Sequence, residues 1–248
     1  MEGLDIINKL VDDKHYYGEI GRGYLSNSDI GTLLNNPTEF GKDRPDNLNF
    51  VKGRYFHQAL LEPNRVASWD TVDVSSRNAK AYKEAILERE NQNVEFLLLN
   101  KEKDDLDWLV SIMKSNVHFY ETIYMDGNRY ESPMVGTIKG HKWKGKADIV
   151  CKHTLIDIKT TADIQGFKWS AKKYNYDSQC YIYQSLFGRP LIFYVIDKTT
   201  GQLGVFTPSQ DFIKGGEQKV ERALEVYDRF FGENPTDDIS SYFIEETL

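Results

Sequence analysis

From residue 129 onward the apolar period of this 248-residue chain changes from 3.6 to two, and that switch constrains the fold more than any other feature. "RYESPMVGTIKG", "HKWKGKADIVCK" and "TLIDIKTT", from 129 to 161, read as three consecutive strands joined by short turns, an antiparallel meander. Upstream the pattern is helical. "GYLSNSDIGTLLNNPTEF" offers Ser26 or Ser28 as an N-cap and Pro37 as a stop. "GRYFHQALLEP", from Gly53, sets His57, Leu60 and Leu61 on one side of a second helix that Pro63 ends. Residues 75–125 read as mainly helical, in "NAKAYKEAILERENQ" and "KEKDDLDWLVSIMKSNVHFYETI". After the meander come two helical stretches, 163–173 and 177–187, and then "RPLIFYVIDKTTGQLGVF" as a strand pair. A last amphipathic helix carries Phe212, Val220, Ala223, Leu224, Tyr227 and Phe231. The expected class is α/β of the α+β kind: a helical N-terminal half, then a central mixed sheet flanked by helices.

The third strand of the meander is unusual. Asp157 and Lys159 stand two residues apart, so both leave the same side of an otherwise apolar run. Asp148 lies on the preceding strand, and with strands about 4.8 Å apart all three charged heads can converge. Two neighbouring carboxylates repel unless a divalent cation lies between them. Mg²⁺ in that place lowers the pKa of a bound water and takes a phosphate oxygen, while Lys159 offsets charge growing on phosphorus. Such a constellation hydrolyses phosphodiesters. An Asp–Lys ion pair on a solvated face fits the same three-residue string, and spacing alone leaves both readings open.

Charge is unevenly placed. The net charge is −7, which on its own argues against a polyanionic partner. The acidity is concentrated in residues 1–20 and 233–248, so the chain divides into an acidic N-terminal segment, a single domain over 21–232 and an acidic C-terminal tail. Between 139 and 173 nine lysines face three aspartates, with Trp143 and Trp169 interleaved, a pattern that attracts phosphate backbones or simply forms a solvated face. Cys151 and Cys180 have no paired spacing, which excludes a disulfide framework and leaves too few thiolates for an iron–sulfur cluster; both read as buried apolar groups. No 18-residue apolar run and no basic leader is present, so a cytosolic chain with no membrane segment is expected.

Five elements, in order, resemble the PD-(D/E)xK nuclease superfamily, within it the RecE type and more distantly the RecB-like nucleases. "LSNSDIGTLLNNPTEF" is similar to the opening helix, "GRYFHQALLEP" to the G-x-x-x-H-x-x-L-L-E-P signature and "GKADIV" to the strand ending in aspartate. "IDIKTTADI" is similar to the D-x-K-T strand, and "QCYIY" to the Q-x-x-x-Y helix. The resemblance covers about Tyr24 to Gly188 and implies a restriction-endonuclease-like core. It implies that His57, Asp148, Asp157 and the carbonyl of Ile158 ligate Mg²⁺, for which Mn²⁺ can substitute, that Lys159 is catalytic, and that Gln179 and Tyr183, one turn apart, support the site and contact DNA. On the residues alone Tyr183 fits a core position equally well, and His57, on an apolar helical face, fits a core histidine better; the resemblance reverses that for His57. Glu131 is a further candidate, joining through a water. Arg54, Lys142, Lys144, Lys172 and Lys173 are the candidate DNA-backbone contacts. Where some RecB-like relatives place a cluster-ligating cysteine, this chain has Asn36.

The implied activity is exonucleolytic hydrolysis of duplex DNA ends, 5′ to 3′, in recombination or phage DNA processing. A ring-shaped homo-oligomer and a single-strand annealing partner are implied in the same way. Two alternatives stay open: an endonuclease or single-strand-specific nuclease on the same site, and an inert DNA-end-binding adaptor.

Overall fold

The computed structural model describes residues 2–43, 46–89 and 94–245. Three short helices lead the chain: α1 (Glu2–Leu10), α2 (Asp13–Tyr17) and α3 (Glu19–Arg22). They are not a loose acidic leader. Leu10 and Tyr16 are buried, and α1 packs against the first long strand of the sheet. Next comes α4 (Asn27–Asn35), opened by a reciprocal cap in which Ser26 N donates to Asp29 Oδ2 at 2.7 Å. The following helix, α5 (Leu48–Leu61), starts five residues before Gly53, because Asn47 accepts the N–H groups of Asn49 and Phe50.

The expected helical stretch from 75 to 125 is interrupted. Strands β1 (Thr71–Val72) and β2 (Leu98–Leu99) pair in parallel around α6 (Lys80–Leu87), and Leu98 and Leu99 are buried. The end of "NAKAYKEAILERENQ" lies outside the described residues. Helices α7 (Asn100–Ser115) and α8 (Val117–Ile123) follow. Glu102 fastens this corner: its carboxylate takes the N–H of Leu99 and pairs with Arg77 and with Lys52 of α5.

The main sheet holds β3 (Arg129–Ile138), β4 (His141–Val150), β5 (Leu155–Thr161), β6 (Leu191–Asp197) and β7 (Leu203–Phe206), in that spatial order. All neighbours are antiparallel except β5 and β6. That parallel pair needs a crossover, supplied by α9 (Phe167–Lys173) and α10 (Tyr176–Phe187). Helix α9 starts at Phe167 rather than 163 because Asp163 Oδ1 accepts from the N–H groups of Gln165 and Gly166 and holds them in a turn. The last helix is α11 (Gln210–Phe230).

Helices cover both faces of the sheet. One core gathers Trp143, Leu155, Phe193 and Val195 with Leu33, Ile182, Val220 and Leu224 of α4, α10 and α11. The other gathers Ile149, Ile156, Ile158 and Ile196 with Phe56, Leu60, Leu109 and Phe119 of α5, α7 and α8. Two-sided burial explains why β5 carries apolar residues on both faces, Leu155 on one and Ile156 and Ile158 on the other. Cys151 and Cys180 are both buried and unpaired. Beyond α11 the chain folds back: Arg229 O accepts from the N–H groups of Thr236 and Asp237, and the Tyr242 ring meets Phe230 at 6.0 Å. Among the described residues no helix is long and apolar enough to cross a membrane.

Burial acts to raise the pKa of Glu102, but the Arg77 guanidinium, the Leu99 N–H and Lys52 outweigh it and lower the value to about 2. A depressed carboxylate stabilises the fold above its unfolded pKa and loses that contribution as pH falls through the folded value. Glu102→Gln is therefore expected to lower stability by about 1–3 kcal/mol at neutral pH, with the difference from wild type shrinking between pH about 4.5 and about 2. Urea denaturation of both proteins across that range measures it; a gap that stays constant with pH would refute the role.

Candidate active site

The β-ladders break at one place. β3 and β4 keep a single register from Arg129↔Val150 to Ile138↔His141, yet Glu131 and Asp148, which would face each other, do not pair. Glu131 adopts φ 44°, a left-handed conformation that a side chain inside a strand rarely takes. On the other flank of β4 only Ile149↔Ile156 and Val150↔Leu155 pair with β5. Beyond them the N–H of Ile158 donates to the Asp148 carboxylate at 2.7 Å. The sheet thus opens on both sides of Asp148, and charged groups gather in the gap.

His57, projecting from α5, brings Nδ1 to 3.5 Å from Asp148 Oδ2 and 3.8 Å from Glu131 Oε1. One ligand atom from each of His57, Glu131 and Asp148 falls within 4.8 Å of the other two. Asp157 is held from the opposite layer: Gln179 Nε2 of α10 donates to its Oδ1 at 2.6 Å. Its Oδ2 has Lys159 Nζ at 2.6 Å, but in a geometry that makes no hydrogen bond. Lys159 in turn lies 4.8 Å over the Tyr176 ring.

Burial raises the pKa of Asp148 above the usual carboxylate range; His57 opposes this, while the charges of Asp157 and Glu131 add to it. Burial acts to lower His57, but Asp148 and Glu131 raise its pKa to about 9. Lys159 is likewise disfavoured by burial, yet Asp157 holds it above the ordinary lysine value. Two mutually repelling carboxylates, Asp148 and Glu131, and the His57 imidazole, with ligand atoms within 4.8 Å of one another, form a donor set that suits a hard or borderline divalent cation.

The remaining expected residues are distributed unevenly. Tyr183 donates its hydroxyl to Lys146 O at 3.0 Å and accepts from Lys146 N at 3.3 Å, so it braces β4. A Cβ on Gly145 would sit 3.1 Å from that ring. A cleft of about 1720 Å³ opens over the site, lined by His57, Glu131, Asp148 and Lys159 together with Arg22, Arg54, Arg65 and Lys142. Lys144 also lines the cleft but is largely buried: it donates to Tyr16 O at 2.6 Å and lies over the Tyr16 ring. Lys172 and Lys173 sit on α9, outside the cleft lining.

Sequence reading missed Asp13, Tyr16 and Tyr17, which wall the cleft from the acidic N-terminal helices. Asp13 binds Lys146 at 2.5 Å and Arg65 at 3.4 Å. Nothing local flags these contacts. Tyr176 was missed as well, although its i, i+3 spacing to Gln179 places both on one helical face.

The sequence model of a family described as PDDEXK-like domain of unknown function (DUF3799) matches residues 34–235, a span that holds His57, Glu131, Asp148, Asp157, Lys159 and Gln179. The chain belongs to this PDDEXK-like family. No curated protein matches it. A candidate exonuclease from Eubacterium rectale is similar over 96% of this chain and 95% of its own, at 15% identity and a TM-score of 0.62, a likeness of fold. An alkaline exonuclease from Laribacter hongkongensis (15% identity, 85% of this chain and 91% of that one) has a TM-score of 0.37. A phage-related exonuclease from Haemophilus somnus (13%, 64% and 89%) has a TM-score of 0.32. Both overlays are too loose to argue from. Within the PDDEXK-like frame, Asp148 and the Asp157-Ile158-Lys159 triplet occupy the gap where β4 leaves β5.

The left-handed backbone at Glu131 and the repulsion of its charge by Asp148 work against stability, and the 3.8 Å contact with His57 offsets only part of this. Glu131→Gly is expected to raise thermal stability in EDTA by about 1 kcal/mol, since glycine takes positive φ without a Cβ clash. A lower melting temperature than wild type in a differential scan would show that Glu131 is a net structural contributor instead.

Proposed function

We propose that this PDDEXK-like protein is a divalent-metal-dependent DNA exonuclease that hydrolyses phosphodiester bonds at duplex ends. The supporting observation is the convergence of His57, Glu131 and Asp148 in one cleft that Lys159, the ion-pair partner of Asp157, also lines. A divalent cation, Mg²⁺ or in its place Mn²⁺, held by His57, Glu131, Asp148, Asp157 and the Ile158 carbonyl would supply a Lewis acid for a phosphate oxygen and for the attacking water.

The chain's own groups supply the rest. Lys159, kept charged by Asp157 and resting on Tyr176, presents an ammonium to the charge that grows on the phosphoryl oxygens. Gln179 fixes the Asp157 carboxylate, and Tyr183 fixes the strand that carries Asp148. Along the wall Arg22 pairs with Asp43, Arg54 with Asp46, and Arg65 with Glu62 and Asp13. Phosphates entering the cleft exchange for these carboxylates, which keeps the free protein from carrying a bare cationic groove. Val11, Asp13, Tyr16 and Tyr17 line the same cleft, so the proposed nuclease unit takes in part of the acidic N-terminal segment. The resemblance to RecE-type nucleases supports 5′ to 3′ polarity, a role in recombination or phage DNA processing, ring assembly, an annealing partner and a cytoplasmic setting. An inert adaptor has no chemical need for Asp148, Asp157 and Lys159 together.

Linear and closed-circular duplexes, labelled on either strand end, test the reading with Mg²⁺ present. The expected outcome is mononucleotide or short-oligonucleotide release from linear DNA only, and none from Asp157→Asn. Equal attack on the circle would replace the exonuclease by an endonuclease. Cleavage by Asp157→Asn at the wild-type rate would remove the site.

A second measurement needs no cleavage. Mg²⁺ or Mn²⁺ at about a hundred times its dissociation constant stabilises a folded site by roughly 2.7 kcal/mol, an expected rise of roughly 5–10 °C in Tm for a chain this long. Asp148→Asn is expected to lose most of that rise. Lys159→Ala is expected to keep it while losing turnover by at least about a hundredfold; loss of the rise in Lys159→Ala would make this residue part of the cation site rather than a catalyst.

A further inference from the structure

Helix α9 and its C-cap carry exposed rings and cations side by side. Trp169 is 73% exposed and Tyr174 59% exposed. Lys168, Lys172 and Lys173 are exposed beside them, with Lys168 Nζ 4.9 Å from the Trp169 ring and Lys173 Nζ 5.8 Å from the Tyr174 ring. Helical spacing puts Trp169 and Lys173 one turn apart, and likewise Lys168 and Lys172. The cleft cations Arg22, Arg54, Arg65 and Lys146 each have a carboxylate partner. Among the described residues no carboxylate pairs with Lys168, Lys172 or Lys173. The one acidic side chain at the start of the helix, Asp163, is engaged by the N–H groups of Gln165 and Gly166.

The patch is close to the proposed chemistry. Helix α9 is reached directly from β5, which carries Asp157 and Lys159. The Lys159 ammonium rests on Tyr176, and the Tyr176 ring centroid is 6.2 Å from that of Tyr174. One ring therefore separates the catalytic lysine from the exposed platform. An indole this open offers a whole π-face, and the complementary partner is a flat π-system on an anionic chain. Duplex bases are already stacked on one another and cannot cover such a face; an unpaired base can.

We propose that Trp169, Tyr174 and the lysines 168, 172 and 173 form a stacking platform for single-stranded DNA, which holds the unpaired strand next to the metal site. The proposal rests on the nuclease reading for its purpose, but the platform is testable without cleavage.

Fluorescence anisotropy in EDTA would compare a labelled oligothymidylate of about 20 nucleotides with a duplex of the same length, using the full chain. Trp169→Ala and Tyr174→Ala are each expected to weaken single-strand binding roughly tenfold and to change duplex binding by less than about twofold. Both side chains are exposed, so the variants should melt as wild type does. Trp169→Phe keeps a ring and is expected to recover most of the affinity. The triple variant Lys168→Gln, Lys172→Gln, Lys173→Gln is expected to lower the log–log salt slope for the single strand by about 2, at about 0.7 per lost phosphate contact. Unchanged single-strand affinity in both ring variants would overturn the platform, as would an equal loss on the duplex, or binding to phosphatidylserine vesicles that depends on Trp169 while the oligonucleotide is ignored. The two readings fail separately. Wild-type cleavage by Asp157→Asn would sink the nuclease site and leave the platform standing. Ring variants with intact single-strand binding, in a protein that cleaves, would sink the platform alone.

Discussion

Repulsion among Asp148, Asp157 and Glu131 is the constraint around which the molecule is arranged. Three carboxylates in a sheet buried on both faces would ordinarily be excluded from such a place. They are retained because each is answered from a different direction: Asp148 by His57 and the Ile158 N–H, Asp157 by Gln179 and Lys159, Glu131 by the far side of His57. The regular sheet is given up locally to allow this. A ladder that continued past Ile149↔Ile156 would take the N–H that Asp148 now uses. Left-handed backbone at Glu131 turns its carboxylate toward the same gap. Stability is lost at these points and gained in the two apolar layers on either side, the usual relation between a reactive site and its scaffold.

What the sequence makes legible follows from the range of the interactions. The meander and the Asp157–Lys159 pair are periodic features within a few residues, and local periodicity reports them directly, whereas Gln179 and Tyr183 are marked only by the family resemblance. The start of α5 was misread because Gly53 looked like a boundary, whereas Asn47 has the side chain that caps a helix. Strands β1 and β2 have two residues each and exist only through each other. Glu131 gives no local sign in the sequence of its positive φ. Lys144 reads as one more member of a lysine-rich run until Tyr16, far away in the chain, covers it.

Net charge proves a poor guide to the surface. The −7 of the whole chain is concentrated toward its ends, yet the N-terminal acidity is not held apart from the cleft. Asp13 enters it and binds Lys146 and Arg65, and Asp43 and Asp46 do the same for Arg22 and Arg54. Acidic residues here mark the places where cations are kept in position. Lys168, Lys172 and Lys173 on α9 are among the lysines that no carboxylate pairs with in the described residues.

The site draws on α5, β3, β4, β5 and α10, and half of the chain lies between His57 and Gln179. Contacts of such long sequence separation form late, after the entropy of closing the intervening loops has been overcome. A nascent chain that has emerged only as far as β5 has Asp148, Asp157 and Lys159 but lacks the helix that orients Asp157. On the nuclease reading, competence to cut would therefore belong to the finished fold, and turnover would report global folding as well as the chemistry of the site.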